Sequence, residues 1–246
     1  MASLRVLGVI PARLESTRLP RKVLREIAGT PMVCHVYRRA RPSECLTDLL
    51  VATDSQEVVD VCGAFGIAAV MTSPDHPSGT DRIWEVSRAR AADLYVNIQG
   101  DEPLITPGHI GNLVEPFLAR RDTQVSTLRI RATAEEAADP NVVKVVTNAQ
   151  GNALYFSRHP IPYVRDPAAT PTYWRHLGLY AYRREALESF HRFGPSPLET
   201  AERLEQLRFL EHGIPIQVVE TTEPTIGVDT EADLRAVEAR LRSQSQ

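Results

Sequence analysis

Short apolar runs alternate with segments of helical period along the first half of the chain, and this alternation predicts a doubly wound, mostly parallel α/β sheet. The first strand is expected at about residues 4–10, followed by a polar loop through Lys22. Thr30 as N-cap with Pro31 at the first helical position then predicts a helix. A second strand is expected at residues 49–53, and Asp54 with Glu57 three residues on predicts the N-cap of a helix through Phe65, ended by Gly66. A third strand at 67–71, a helix at about 80–90, a fourth strand at 94–99 and a helix starting at Thr106-Pro107 complete the half.

Beyond about residue 123 apolar and polar positions alternate more nearly one by one, at 125–130 and 142–146, which predicts antiparallel additions. Residues 148–152 read as a turn, His159-Pro160-Ile161-Pro162 as a rigid irregular segment, and 166–172 as a loop. Ser196-Pro197-Leu198-Glu199 has the form of a capping box, and Leu204, Leu207 and Leu210 follow at helical spacing before Gly213. A last helix is expected from Thr230. The chain reads as one domain, residues 1–246, dividing near residue 122 into two halves.

Composition narrows the partners. With 246 residues, 43% hydrophobic and 24% charged, one large core or a core with a smaller lobe is expected. The 28 basic and 31 acidic residues are interspersed and sum to −3, so no general basic field is present for nucleic acid or a membrane surface. No run reaches the roughly 18 apolar residues of a membrane span, and residues 3–10 read as a strand rather than a signal peptide. Cys34, Cys45 and Cys62 lack CxxC spacing, which fits free thiols in a reducing cytoplasm.

Two loops carry candidate chemistry. Residues 95–103, Tyr-Val-Asn-Ile-Gln-Gly-Asp-Glu-Pro, run an apolar strand into an acidic turn at the carboxyl edge of the predicted sheet, where open α/β folds bind ligands. There Gly100 permits close backbone approach, and Asp101 is a hard oxygen donor suited to Mg²⁺ beside phosphate. The loop after the first strand holds Arg13, Arg18, Arg21 and Lys22 with Ser16 and Thr17. It is neither a Walker loop nor GxGxxG, so phosphate there would be held by side chains. Charge count alone slightly favours a solvated basic loop, and the presence of two phosphate-compatible loops at the same predicted sheet edge changes that balance. His76 beside the turn at 78–82 is left open, and His35, His109, His191 and His212 have no ligand spacing.

The ordered set of IPAR, STRLP and a following lysine, SGTDR at 78–82, NIQGDEP at 97–103, NVVKVV at 141–146, YFSR at 155–158, HLGLYAY at 176–182, SPLE and LEQLR within 196–208, and GVDT at 227–230 resembles the 3-deoxy-D-manno-octulosonate (Kdo) cytidylyltransferases. The resemblance runs from about residue 5 to 241 and implies a fold of nucleotidyltransferase type, with a smaller antiparallel and helical lobe for substrate and dimerisation. It implies CTP and Kdo as substrates, Mg²⁺ as cofactor, CMP-Kdo for lipopolysaccharide as product, and a homodimer. It further implies that Arg13, Ser16 and Lys22, with Pro11 and Ala12, hold the triphosphate, and that Ser78, Gly79, Arg82, Gln99 and Gly100 border the cytidine. Arg13, Lys22 and Asp101 would be catalytic, and Asp101 with Asp229 would bind the metal. Arg158 and His176 would offer positive or donor groups to the sugar carboxylate, and Gln99, Tyr180, Glu205 and Gln206 would meet its hydroxyls.

This chain departs from the family pattern at Arg21 in place of glycine, Leu14-Glu15 in place of tyrosine-alanine, Asp81 in place of glutamate and Ala181 in place of glycine. A cytidylyltransferase for another acidic sugar, amino-Kdo or a sialic acid, and a non-catalytic nucleotide-binding regulator remain as alternatives. The regulator would have no need of both Asp101 and Asp229.

Overall fold

The computed structural model describes residues 4–16, 19–166 and 168–244; Thr17 and Arg18 of the basic loop and Pro167 of the 166–172 loop lie outside them. In chain order the elements are β1 (Val6–Pro11), β2 (Glu26–Ile27), β3 (Thr30–Pro31), α1 (Met32–Ala40), β4 (Asp48–Thr53), α2 (Gln56–Ala64), β5 (Ala69–Met71), α3 (Gly79–Ala89) and β6 (Leu94–Asn97). Then come α4 (Pro107–Ala119), β7 (Val125–Ala132), α5 (Ala134–Ala138), β8 (Lys144–Thr147), β9 (Ala153–Ser157) and β10 (Tyr173–Arg183). The chain closes with α6 (Arg184–Phe193), α7 (Pro197–Glu202), α8 (Leu207–Glu211), β11 (Ile216–Glu220) and α9 (Glu231–Gln244).

Two compact units result, Met1–Gly111 with Thr225–Gln246, and Asn112–Pro224. The sequence suggests one division near residue 122 with the last helix in the second half, whereas the structure places Thr225–Gln246 in the first unit. The reason is apolar: Val228, Leu234 and Val237 pack with Leu19, Ile27, Met32 and Leu104 in one buried cluster.

In the first unit β6, β1, β4 and β5 lie side by side, all parallel, with registers such as Leu7 opposite Tyr95 and Gly8 opposite Leu49. The strands read as unbroken apolar runs because both faces are covered: Val9, Ile10, Val51 and Val96 are fully buried. From β1 the chain steps outward to β4 and β5, then returns to the other flank of β1 at β6. This reversal is the topological switch point, and the two candidate loops leave its two strands.

The expected helix start at Thr30 is corrected. Ala28 and Gly29 both have positive φ, 49° and 76°, forming the tight turn of a hairpin that pairs Ile27 with Thr30 and Glu26 with Pro31. Helix α1 therefore begins one residue past the proline. Asp54 does not cap α2 either; Ser55 occupies that position, and the Asp54 carboxylate is used elsewhere. The third strand is shorter than expected, Ala69–Met71, and the helix expected from Thr80 starts at Gly79.

In the second unit β10 pairs antiparallel with β7 and with β8, β8 pairs antiparallel with β9, and β11 joins β7 in parallel. The turn at 148–152 forms as expected, with Gly151 at φ 79°. The Ser196 and Glu199 capping box is closed from one side, Ser196 N donating to Glu199 Oε2 at 3.1 Å, while the buried Ser196 hydroxyl makes no hydrogen bond of its own. The expected leucine helix is interrupted, however: Arg203 adopts φ 53°, α7 stops at Glu202, and Glu205 and Gln206 fall in the connection before α8.

Candidate active site

Lys22 stands at the centre of the first unit's site. Its Nζ donates to Asp101 Oδ2 at 2.5 Å and to Asp229 Oδ1 at 3.0 Å. Burial alone would lower the pKa of this ammonium, but the charge and hydrogen bond of Asp101, reinforced by Asp229, outweigh it and hold the group above the usual lysine value. The Lys22 side chain is only 15% exposed.

Each carboxylate is placed by its own backbone. Asp101 follows β6, and its carbonyl accepts from Val228 N at 2.9 Å, tying the acidic turn to the segment that carries Asp229. Glu102 accepts from the Thr225 hydroxyl and secures that segment a second time. Asp229 is not the helix cap: Thr230 and Asp233 cap α9 reciprocally, Asp233 N donating to Thr230 Oγ1 and Thr230 N to Asp233 Oδ2. That leaves the Asp229 carboxylate to face Lys22. Glu102 and Thr225 carry no local sequence signal, since they lie 123 residues apart, half the length of the chain.

The basic loop opens on a cleft of about 480 Å³ lined by Arg13, Leu14, Glu15, Ser16, Pro20 and Arg21. Arg13 is exposed and Ser16 half-buried. Pro11 ends β1, and Ala12 is buried with its N–H on Ala52 O at 2.8 Å. Arg21 sits at φ 58°, a left-handed conformation that accounts for glycine in the family pattern. Its guanidinium pairs with Glu57 at the surface, so its charge is partly engaged before any nucleotide arrives.

Gly100 is required at its position by the protein itself. A Cβ there would come within 2.7 Å of the Pro11 carbonyl oxygen, so glycine lets the two loops of the switch point touch. Gln99 is half-buried, with Nε2 3.4 Å from Asn97 Oδ1. Ser78 caps α3, accepting from Asp81 N at 3.1 Å and donating to Asp81 Oδ2 at 2.7 Å, and Gly79 is the first helical residue. The shorter Asp81 therefore still closes a capping pair.

Arg82 requires a correction to the idea that it reaches base or phosphate. It is 3% exposed, and its guanidinium donates to Asp54 Oδ2 at 2.9 Å, to Ser73 O at 3.3 Å and to the Thr72 hydroxyl. Asp54 also accepts from Leu14 N at 3.2 Å, so the buried arginine braces the basic loop from beneath through Asp54. His76 pairs with Glu85, whose second contact is the Ser73 N–H.

Apart from Gln99, the candidate sugar residues lie in the second unit. Arg158 Nε donates to Glu202 O at 2.7 Å, Nη1 to Pro140 O at 3.1 Å and Nη2 to Arg203 O at 3.4 Å, which accounts for three of the guanidinium's five N–H groups. Beneath it Lys144, fully buried, donates to the carbonyls of Asp139, Val142 and Arg158 at 2.5 to 2.9 Å. Burial pushes the Lys144 pKa down. Nothing in an isolated VVKVV strand announces such a lysine.

In the free protein His176 stands as a neutral group. Burial pushes its pKa down to about 3, so the imidazole is neutral, with Nε2 3.0 Å from Thr127 Oγ1. Thr127 directs its own hydrogen at the carbonyls of Leu177 and Leu179, 3.2 and 2.8 Å away, so His176 Nε2 is the donor. Tyr180 stacks on Tyr182 with centroids 5.6 Å apart, and its buried hydroxyl ends beside Thr127 without a hydrogen bond of normal geometry. Gln206 is 4% exposed and its Nε2 likewise has no partner, while Glu205 is half-buried in the same connection. Orphaned buried donors of this kind cost roughly 1–3 kcal/mol each and mark places where a ligand can supply the missing partner.

The His176 environment sets a pH dependence. Its folded pKa lies below the unfolded value of 6.5, so it contributes stability above pH 6.5 that is lost as pH falls toward about 3. Across that window the group alone should remove about 1.4 kcal/mol per pH unit. Urea unfolding at pH 7 and pH 5 should show this slope in the wild type and a shallower one in His176→Asn; equal slopes would contradict the buried neutral imidazole.

A parallel sheet with its switch point at β1, a cation-lined loop on one side and two carboxylates meeting a lysine on the other define an enzyme of the α/β nucleotidyltransferase class. Residues 7–219 match the cytidylyltransferase family. The 3-deoxy-manno-octulosonate cytidylyltransferase of Acidobacterium capsulatum is 57% identical over 241 residues, 98% of each chain. That of Koribacter versatilis is 54% identical over 99% of this chain and 92% of its own. The chain therefore belongs to the cytidylyltransferase family, in its 3-deoxy-manno-octulosonate branch. A solved CMP:2-keto-3-deoxy-manno-octonic acid synthetase complexed with CTP superposes with a TM-score of 0.94 at 45% identity, covering 98% of this chain and 99% of that one. A 4-diphosphocytidyl-2C-methyl-D-erythritol synthase from Anaerococcus prevotii, 12% identical with a TM-score of 0.65 over 98% and 97% of the two chains, shares the fold alone.

Proposed function

We propose that this enzyme transfers the cytidylyl group of CTP to Kdo, releasing pyrophosphate and giving CMP-Kdo for lipopolysaccharide biosynthesis. The observation that carries the reading is the convergence of Asp101 and Asp229 on one cation at the sheet's switch point, in a chain 57% identical to a 3-deoxy-manno-octulosonate cytidylyltransferase. Two carboxylates able to share one cation fit Mg²⁺, which takes one or two protein carboxylates and completes its shell with phosphate oxygens and water. Bound there, the metal would neutralise triphosphate charge and polarise the α-phosphate.

The chain's own groups do the rest. Arg13 and Ser16, lining the open cleft, bind the triphosphate, and Lys22 offsets the charge that develops as pyrophosphate departs. In the second unit the orphaned Tyr180 hydroxyl and Gln206 amide take sugar hydroxyls, with Glu205 beside them, and the N–H groups that Arg158 has not given to backbone carbonyls take the sugar carboxylate. The anomeric hydroxyl of Kdo attacks the α-phosphorus in line with the leaving group, and positioning supplies most of the catalysis, without a covalent enzyme intermediate. We further place the enzyme in the cytoplasm, a reading supported by the free thiols of Cys34, Cys45 and Cys62, and take it as a homodimer, as the family resemblance implies.

Pyrophosphate release measured with CTP, Mg²⁺ and Kdo, each omitted in turn, tests the reaction. Release should need all three and should fall sharply when amino-Kdo or a sialic acid replaces Kdo. Equal rates with a sialic acid would overturn the substrate, and release without added metal would overturn the role given to the carboxylates.

A further inference from the structure

Resting on that reading of the site, we propose that Lys22 is a built-in occupant of the metal position: its ammonium holds Asp101 and Asp229 together in the free enzyme and keeps a divalent ion out until a triphosphate draws the lysine away. Two carboxylates brought within reach of one point repel each other and need a cation between them. Lys22 provides it, 2.5 Å from Asp101 and 3.0 Å from Asp229.

The geometry also says which part can move. The Lys22 backbone is fixed: it opens a single 3-10 turn, its carbonyl accepts from Arg25 N at 3.1 Å, and the adjoining Val23 is buried. The flexible four-carbon stem is the mobile part, and a strongly hydrated ammonium transfers readily between carboxylate and phosphate oxygens. Mg²⁺ alone must shed tightly held water and also displace this ammonium. A triphosphate removes both obstacles, because it offers Lys22 another set of anionic oxygens and brings ligands for the metal. Nucleotide and metal are then positively coupled, and by linkage each raises the affinity for the other.

Mn²⁺ binding to the nucleotide-free protein, read by electron paramagnetic resonance, tests this without any catalytic assay. Lys22→Met removes the charge while keeping the length of the stem, and Lys22→Gln gives a second uncharged side chain in case the methionine protein does not fold. Either variant should bind Mn²⁺ at least about tenfold more tightly than the wild type, because a competing charge in contact with both carboxylates is gone. Mn²⁺ should also raise the melting temperature of the variant more than that of the wild type. Equal Mn²⁺ affinity in wild type and variants would overturn the proposal. Adding Asp101→Asn to the Lys22→Met protein should abolish the gain: tight binding that survives it would show that the metal sits elsewhere and would sink the underlying site reading, whereas equal wild-type and Lys22→Met affinities that both fall with Asp101→Asn would sink only the role of Lys22.

Discussion

Asp101→Asn is expected to yield a folded protein whose turnover is lower by at least about a hundredfold, the scale associated with removing a strong preorganised electrostatic group. The amide is nearly isosteric, and the contact that fixes this turn is the Asp101 carbonyl on Val228 N, which the substitution leaves alone. What goes is one of the two carboxylates that converge on Lys22. Circular dichroism should match the wild type and thermal unfolding should stay cooperative, at a somewhat lower temperature because the Lys22 pair loses one partner, while steady-state pyrophosphate release collapses. Near-normal turnover in the folded variant would remove Asp101 from the chemistry altogether.

Arg82→Leu should instead be lost through stability. Its guanidinium is buried against Asp54, Thr72 and Ser73, and removing one partner of a buried pair strands the other charge, at a cost of about 3–5 kcal/mol. In a chain of this length that lowers the melting temperature by roughly ten degrees. The CTP requirement should rise as well, since Asp54 then holds the basic loop at Leu14 N without its counter-ion. An unchanged melting temperature with a large rise in the CTP requirement would show that Arg82 reaches the nucleotide directly, as the SGTDR resemblance implied.

Arg82 and Arg158 illustrate a shared limit. In sequence both are lone cations in motifs, and charge alone makes each a candidate anion binder. In the fold Arg82 is 3% exposed and bonded to Asp54, Thr72 and Ser73, and three of the N–H groups of Arg158 go to backbone carbonyls. The same holds for His176, whose charge state depends on how completely neighbouring strands and rings exclude water. Desolvation is a sum over neighbours that are distant in the chain, so no local pattern reports it.

By itself the sequence determined what depends on near neighbours: the apolar runs of the parallel strands, the Ser196–Glu199 capping box, the turn at 148–152, the two chemical loops and, through the ordered motifs, the family. These rest on side-chain period, turn chemistry and caps, all set within a few residues. Only the tertiary structure decided that β6 returns beside β1, that the last helix packs into the first unit, and that Arg203 breaks the leucine-rich segment so that Glu205 and Gln206 leave its helical face. It alone also brought Asp229 to Asp101 and set Lys22 between them. Pairing, burial and charge proximity are long-range quantities, decided by which surfaces the chain buries together once every element competes for the same core.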